Sequence, residues 1–96
     1  MILEVVDIKI HVGQNAAFVD ALGLGVNDVI SKANGFVSYK LHHGIESPER
    51  YLLHIFWNTL EDHTVGFRQS EAFGQWRSIV GPYFAEAPKV EHFNLL

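Results

Sequence analysis

The 96-residue chain contains no cysteine, one methionine and three prolines. Without cysteine there is no disulfide, no thiolate nucleophile, no Fe–S cluster and no cysteine-ligated zinc. Cations are scarce as well: Lys and Arg total 7 against 11 for Asp and Glu, a formal net charge of −4 with the six histidines neutral. Phosphate neutralisation needs clustered basic side chains, and no basic run occurs, so nucleic acid is not an expected partner. Long apolar runs are missing. The opening stretch is broken by Glu4, Asp7 and Lys9 and has no basic leader, which argues against a signal peptide or membrane span and makes a cytoplasmic protein the expectation. Repeats, linkers and low-complexity tracts are also lacking, so residues 1–96 read as one domain.

What is present is apolar: 48% of residues are hydrophobic, 12% aromatic and only 19% charged. Such a chain folds. A domain of this length buries only about two-thirds of its unfolded surface, and the surplus of apolar residues leads us to expect a second subunit.

Periodicity gives the elements. Ile2, Val6, Ile8, Ile10 and Val12 share one parity of a first strand over residues 2–12, interrupted only by Glu4. Asn15 stands where a helix would be capped, and Phe18, Leu22, Val26, Val29, Ile30 and Ala33 recur at helical spacing up to Asn34-Gly35. Gly23 and Gly25 weaken that helix by roughly 1 kcal/mol each, which points to a close approach to the sheet or a local kink. Residues 36–43 form a second strand with unclean alternation, and the turn residues 44–49 lead into a nearly continuous apolar strand over 50–58, covered on both faces. Thr59 caps a second helix reaching about Arg68, Ser70 caps a further short helix ending at Gly81-Pro82, and Val90 to Leu95 form the last strand. This β-α-β-β-α-β order is the ferredoxin-like α+β plan, a four-stranded antiparallel sheet with helices on one face. The bare face predicts a homodimer with a sheet-on-sheet or barrel-like interface.

Chemistry then rests on histidines and aromatics. His42 and His43 are adjacent and point to opposite faces of a strand, so they cannot chelate one ion together. No spacing among the histidines matches a metal motif, and no metal is expected. His54 sits among Leu52, Leu53, Ile55 and Phe56, where it is read as a neutral interface histidine. Trp57 and Asn58 close the third strand, and His63 follows within two helical turns of Thr59. The indole either caps a pocket and anchors a substrate oxygen, or plugs the core. Phe67, Phe73, Trp76, Tyr83 and Phe84 suit the lining of a flat apolar ligand, with Arg68 or Arg77 available for an anionic oxygen. No nucleophile elbow, phosphate loop or dinucleotide fingerprint occurs, so no nucleotide cofactor is expected.

The run Tyr51-Leu52-Leu53-His54-Ile55-Phe56-Trp57-Asn58-Thr59-Leu60-Glu61-Asp62-His63, followed by Phe67-Arg68-Gln69-Ser70-Glu71-Ala72-Phe73, resembles the antibiotic biosynthesis monooxygenase domain, a dimeric α+β barrel group. The resemblance extends to Gly35-Phe36 and to Gly81-Pro82-Tyr83-Phe84 with Val90-Glu91-His92-Phe93. It implies a ferredoxin-like protomer dimerising into a barrel, and oxygenation of a phenol or quinol by O2 without metal, flavin or other cofactor. By that resemblance His63 and Trp57 are the catalytic candidates, and Asn58, Phe67, Arg68, Phe73, Trp76 and Tyr83 the candidates for substrate binding. A haem-degrading branch carries a first-strand asparagine and a ligating histidine where this chain has Asp7 and Trp76-Arg77, so haem ligation is not expected. The alternative is a non-catalytic protein that binds or senses an aromatic metabolite in the same pocket. An isomerase or lyase using a histidine as proton shuttle is a third reading.

Overall fold

The computed structural model describes residues 1–96. Strands β1 (Ile2–Lys9), β2 (Phe36–His43), β3 (Arg50–Trp57) and β4 (Lys89–Asn94) form one sheet in the order β2-β3-β1-β4. All three pairings are antiparallel. Helices α1 (Asn15–Asp28) and α2 (Glu71–Val80) pack on one face, which is the ferredoxin-like arrangement expected from the element order.

The core lies between that face and the helices. Val6 and Ile8 of β1 and Tyr51, Leu53, Ile55 and Trp57 of β3 are buried against Phe18, Leu22 and Val26 of α1 and Val80 of α2. Period-2 alternation explains the rest of β3: Leu52, His54 and Phe56 are half-buried on the opposite face. The expectation of a strand covered on both faces therefore holds on one face only within a single chain. In β2 the unclean alternation has a specific cause. A bulge between Phe36 and Ser38 keeps Phe36 opposite Trp57 and then returns Tyr39 and Leu41 to the core face.

Element ends differ from the periodicity reading at several points; β3 stops at Trp57 rather than Asn58, and β4 runs Lys89–Asn94 rather than Val90 to Leu95. β1 stops at Lys9 rather than Val12, because Ile10 leaves the ladder to bridge Phe84 and the His11 N–H turns to the Tyr83 carbonyl. α1 ends at Asp28 rather than Ala33; Ile30–Lys32 tighten into a 3-10 turn that buries Ile30. Asn15 makes no cap, since its Nδ2 donates to the Pro48 carbonyl and the Tyr51 hydroxyl, tying α1 to the β2–β3 turn.

The two helical glycines separate. A Cβ on Gly25 would lie 2.9 Å from Cε3 and Cζ3 of Trp76, so the close approach is to the second helix, not to the sheet. Nothing stands where a Cβ on Gly23 would point. Gly23→Ala should thus raise stability by roughly 0.5–1 kcal/mol through helix propensity. Gly25→Ala should lower it by about 1–3 kcal/mol through overpacking. Urea midpoints of the two single variants, moving in opposite directions, check both.

Candidate active site

A cavity of about 550 Å³ opens between the sheet and the second half of the chain. Its sheet side is Val6, Leu53, Ile55 and Val90, its helical side Ile30, Phe67, Phe73 and Trp76, and the exposed Arg68 and Arg77 border it. Two polar side chains reach it from buried positions, Glu4 at 5% exposure and His63 at 3%.

His63 is placed by an unusual helix. Thr59 and Asp62 exchange a reciprocal pair of backbone-to-side-chain hydrogen bonds, each 3.2 Å, as a capping box does. The predicted second helix thus starts at Thr59 as expected, but residues Asp62–Phe67 form a π-helix, in which the Arg68 N–H reaches the His63 carbonyl five residues back. Gly35 holds this helix close to the sheet: it has φ +83°, and any Cβ there would collide with the Asp62 side chain. The outcome is an aromatic stack under the cavity. The His63 ring lies 5.4 Å from Trp57 at 26° and 6.4 Å from Phe67 at 25°.

Glu4 is a strand residue on the core-facing parity, with Ile55 and His92 as its cross-strand neighbours. Its Oε1 accepts a 3.0 Å hydrogen bond from Trp57 Nε1, and its Oε2 lies 3.3 Å from His63 Nε2. His63 Nδ1 is in turn 2.8 Å from His92 Nε2. The four side chains are therefore joined in series, and no three acidic or imidazole groups converge as a metal ligand set.

Burial inverts the usual order of acidity. Glu4 is pushed up to about 7 by desolvation, against the Trp57 hydrogen bond and the Arg68 charge, which pull it down. His63 is pushed down to about 4 by desolvation first, then by the positive charge of Arg68 and by His92. His92 is also held below its ordinary value, by burial and by Arg68. A low-dielectric site disfavours both charged forms, so the pair is neutral at mildly acidic pH, with the proton on the carboxyl. Near neutrality the carboxyl is half-titrated, which is where a general base works best.

The site residues expected from the sequence divide clearly. His63, Phe67, Arg68, Phe73 and Trp76 come together around the cavity. Trp57 is fully buried, and its indole N–H is committed to Glu4, so it lies beneath the cavity rather than anchoring a substrate oxygen in it. Asn58 is exposed and Tyr83 sits edge-on to Phe18 at 6.0 Å; neither borders the cavity. His54 packs against His42 on the far side of the sheet, with ring centroids 4.7 Å apart. Glu4 and His92 escaped the sequence reading. The signal for Glu4 is its position as the single charge within an otherwise apolar strand parity, where a buried acid and an interruption look the same.

Comparison with known proteins identifies the family and the fold. The family model described as antibiotic biosynthesis monooxygenase matches residues 1–78. The chain is 34% identical over 94 residues to the uncharacterized protein YczJ of Bacillus subtilis, covering 98% of both chains. A Bordetella bronchiseptica crystal structure bearing the same family name superposes with a TM-score of 0.93 at 37% identity, covering 99% of this chain and 96% of that one. At 17% identity the fold is shared with a monooxygenase from the gene ActVA-Orf6 of Streptomyces coelicolor, solved in complex with Nanaomycin D; the TM-score is 0.83, with 99% of this chain and 87% of that one covered. No helix is long and apolar enough to cross a membrane. With the family model matching residues 1–78 and a structure of the same family name sharing the fold at 37% identity, the chain belongs to the antibiotic biosynthesis monooxygenase family.

Proposed function

We propose that the protein is a monooxygenase that oxidises an aromatic phenol- or quinol-type small molecule with O2, using no bound cofactor, in the cavity above Glu4 and His63. One observation carries this reading: a buried carboxyl, Glu4, stands 3.3 Å from the buried imidazole of His63 at an aromatic-walled cavity, where burial raises the carboxyl toward neutrality. An aromatic ketone with an acidic ring methylene, an anthrone for example, shows how the chemistry closes. Glu4 takes one methylene proton, leaving an anion that the site desolvates and orients. The anion passes one electron to O2, and the resulting radical pair joins to form a C–O bond. The peroxide anion takes the proton back from Glu4, and the hydroperoxide so formed loses water as the second methylene proton departs. One oxygen atom ends in the new carbonyl and the other in water, and the four electrons O2 accepts all come from the methylene carbon. Phe67, Phe73 and Trp76 supply flat apolar contacts, and Arg68 and Arg77 favour an anion over its neutral parent.

The far face of the sheet supports a homodimer. Phe56, Leu3 and Phe93 form an apolar row across three strands there, Phe93 being 48% exposed, with the half-buried Val5 and Leu52 beside it among His54, Glu91, Asp7 and Lys89, and no helix lies over it. Light scattering at micromolar concentration should give twice the chain mass, and Phe56→Glu should reduce it to the monomer.

Oxygen uptake by purified, metal-stripped protein with a panel of anthrones and hydroquinones tests the reaction. Protein-dependent uptake in step with substrate loss is the expected result. Tryptophan quenching on titration without uptake would make this a binding protein, and equal conversion without air would make it an isomerase.

A further inference from the structure

We propose that His92 is the solvent end of a proton relay that empties and refills Glu4 through His63. Three observations on different strands and helices carry it. Glu4 on β1 is buried with its Oε2 3.3 Å from His63 Nε2 on the π-helix, and His63 Nδ1 is 2.8 Å from His92 Nε2 on the edge strand β4. The other Glu4 oxygen is taken by the Trp57 indole, so Oε2 is the one directed along the chain of imidazoles. His92 Nδ1 makes no hydrogen bond within the chain, yet no buried polar side-chain atom lacks a partner. It therefore faces water.

An imidazole bonded through both nitrogens can carry a proton without moving, because it accepts on one nitrogen while releasing from the other. With Glu4 protonated, Oε2–H donates to His63 Nε2, His63 Nδ1–H donates to His92 Nε2, and His92 Nδ1–H faces solvent. Transfer along these three bonds delivers one proton from Glu4 to water and leaves both imidazoles in the opposite tautomer. Running the steps backwards returns the proton. No net charge has to rest on buried His63 in either end state, which matters because its cationic form is costly there. The one full charge acting on all three groups is the exposed Arg68 guanidinium, which opposes a resting imidazolium and favours concerted passage.

In the reaction proposed above, on which this inference rests, Glu4 must be ionised before it takes a methylene proton, and the relay equilibrates the buried carboxyl with water between turnovers by a route that does not cross the substrate. His92 touches neither substrate nor reacting atoms and acts through His63.

The first test needs no substrate. Long-range 1H–15N correlation spectra of the intact protein should show His63 protonated on Nδ1 below the Glu4 titration and on Nε2 above it, with His92 switching in the same pH interval. A His63 ring that keeps one tautomer through the Glu4 titration would overturn the relay. The second test uses turnover. His92→Gln keeps a hydrogen-bonding side chain but cannot pass a proton, and should lower kcat about tenfold or more with KM unchanged. His92→Gly should lose the same activity and regain it when imidazole is added to the buffer; a purely structural role for His92 predicts no such rescue. Switching tautomers without turnover of any phenol or quinol would uphold the relay and remove the oxygenase reading, whereas turnover without switching would do the reverse.

Discussion

Glu4→Gln should lower kcat on an accepted phenol or quinol by roughly a hundred- to ten-thousand-fold, the range for loss of a positioned base, with little change in KM. The amide fits the same space and still accepts from Trp57, so the loss reads out proton transfer alone. The same variant has a second signature in stability. Glu4 rises from 4.5 to about 7 on folding, so the native state holds more protons than the unfolded one between those pH values. Its contribution is therefore fully present below about pH 4.5 and is lost as pH rises through 7, a change on the order of 3 kcal/mol. His63 falls from 6.5 to about 4, so its contribution is present above 6.5 and is lost as pH falls through 4. In the intact protein these slopes oppose each other between about pH 4.5 and 6.5, and stability should be nearly flat there. Glu4→Gln removes only the falling limb. The causes of the His63 shift are burial, Arg68 and His92 rather than Glu4, so the rising limb survives, and urea midpoints of the variant should climb from pH 4 to 6.5.

The second large effect is expected at Trp57, which is wholly buried and in ring contact with Phe36, His63 and Phe67. Trp57→Ala should cost about 3–5 kcal/mol, which is most of the stability of a domain this small, and the variant should be largely unfolded on mild heating. Trp57→Phe separates packing from chemistry. It keeps an aromatic plate under His63 but removes the N–H that Glu4 Oε1 accepts. That hydrogen bond holds the carboxyl down, so its loss should move the acidic limb of the kcat/KM profile to higher pH. Thermal unfolding and a pH-rate profile measured on the same preparation distinguish the two effects. An unchanged profile in a folded Trp57→Phe protein would mean that the indole only fills space.

Both predictions centre on groups that the chain supplies far apart in sequence. Residues 4, 57, 63 and 92 come from β1, β3, the π-helix and β4. They meet because the ferredoxin-like order places β1 between β3 and β4. A central β1 gives Glu4 a neighbour on each side, Ile55 and His92, and the helix packed over the sheet supplies His63. Reading local period, one sees in Glu4 a charge spoiling an apolar parity. Seen in place, it is a carboxyl whose two oxygens are both occupied.

The sequence by itself determined the element order, the sheet-and-helix architecture, the aromatic character of the second half and the family, because these depend on short-range pattern: alternation in strands, three- and four-residue steps in helices, and turn residues between them. It also placed His63, Phe67, Arg68, Phe73 and Trp76 as site candidates that do surround the cavity. Only the tertiary structure decided that Trp57 lies beneath the cavity, that Asn58 and Tyr83 stand apart from it, and that Glu4 and His92 belong to the polar chain. The reason is physical. Whether a carboxyl is a solvated charge or a buried acid near neutrality depends on desolvation and on partners tens of residues away, and neither quantity is written in the spacing of nearby residues.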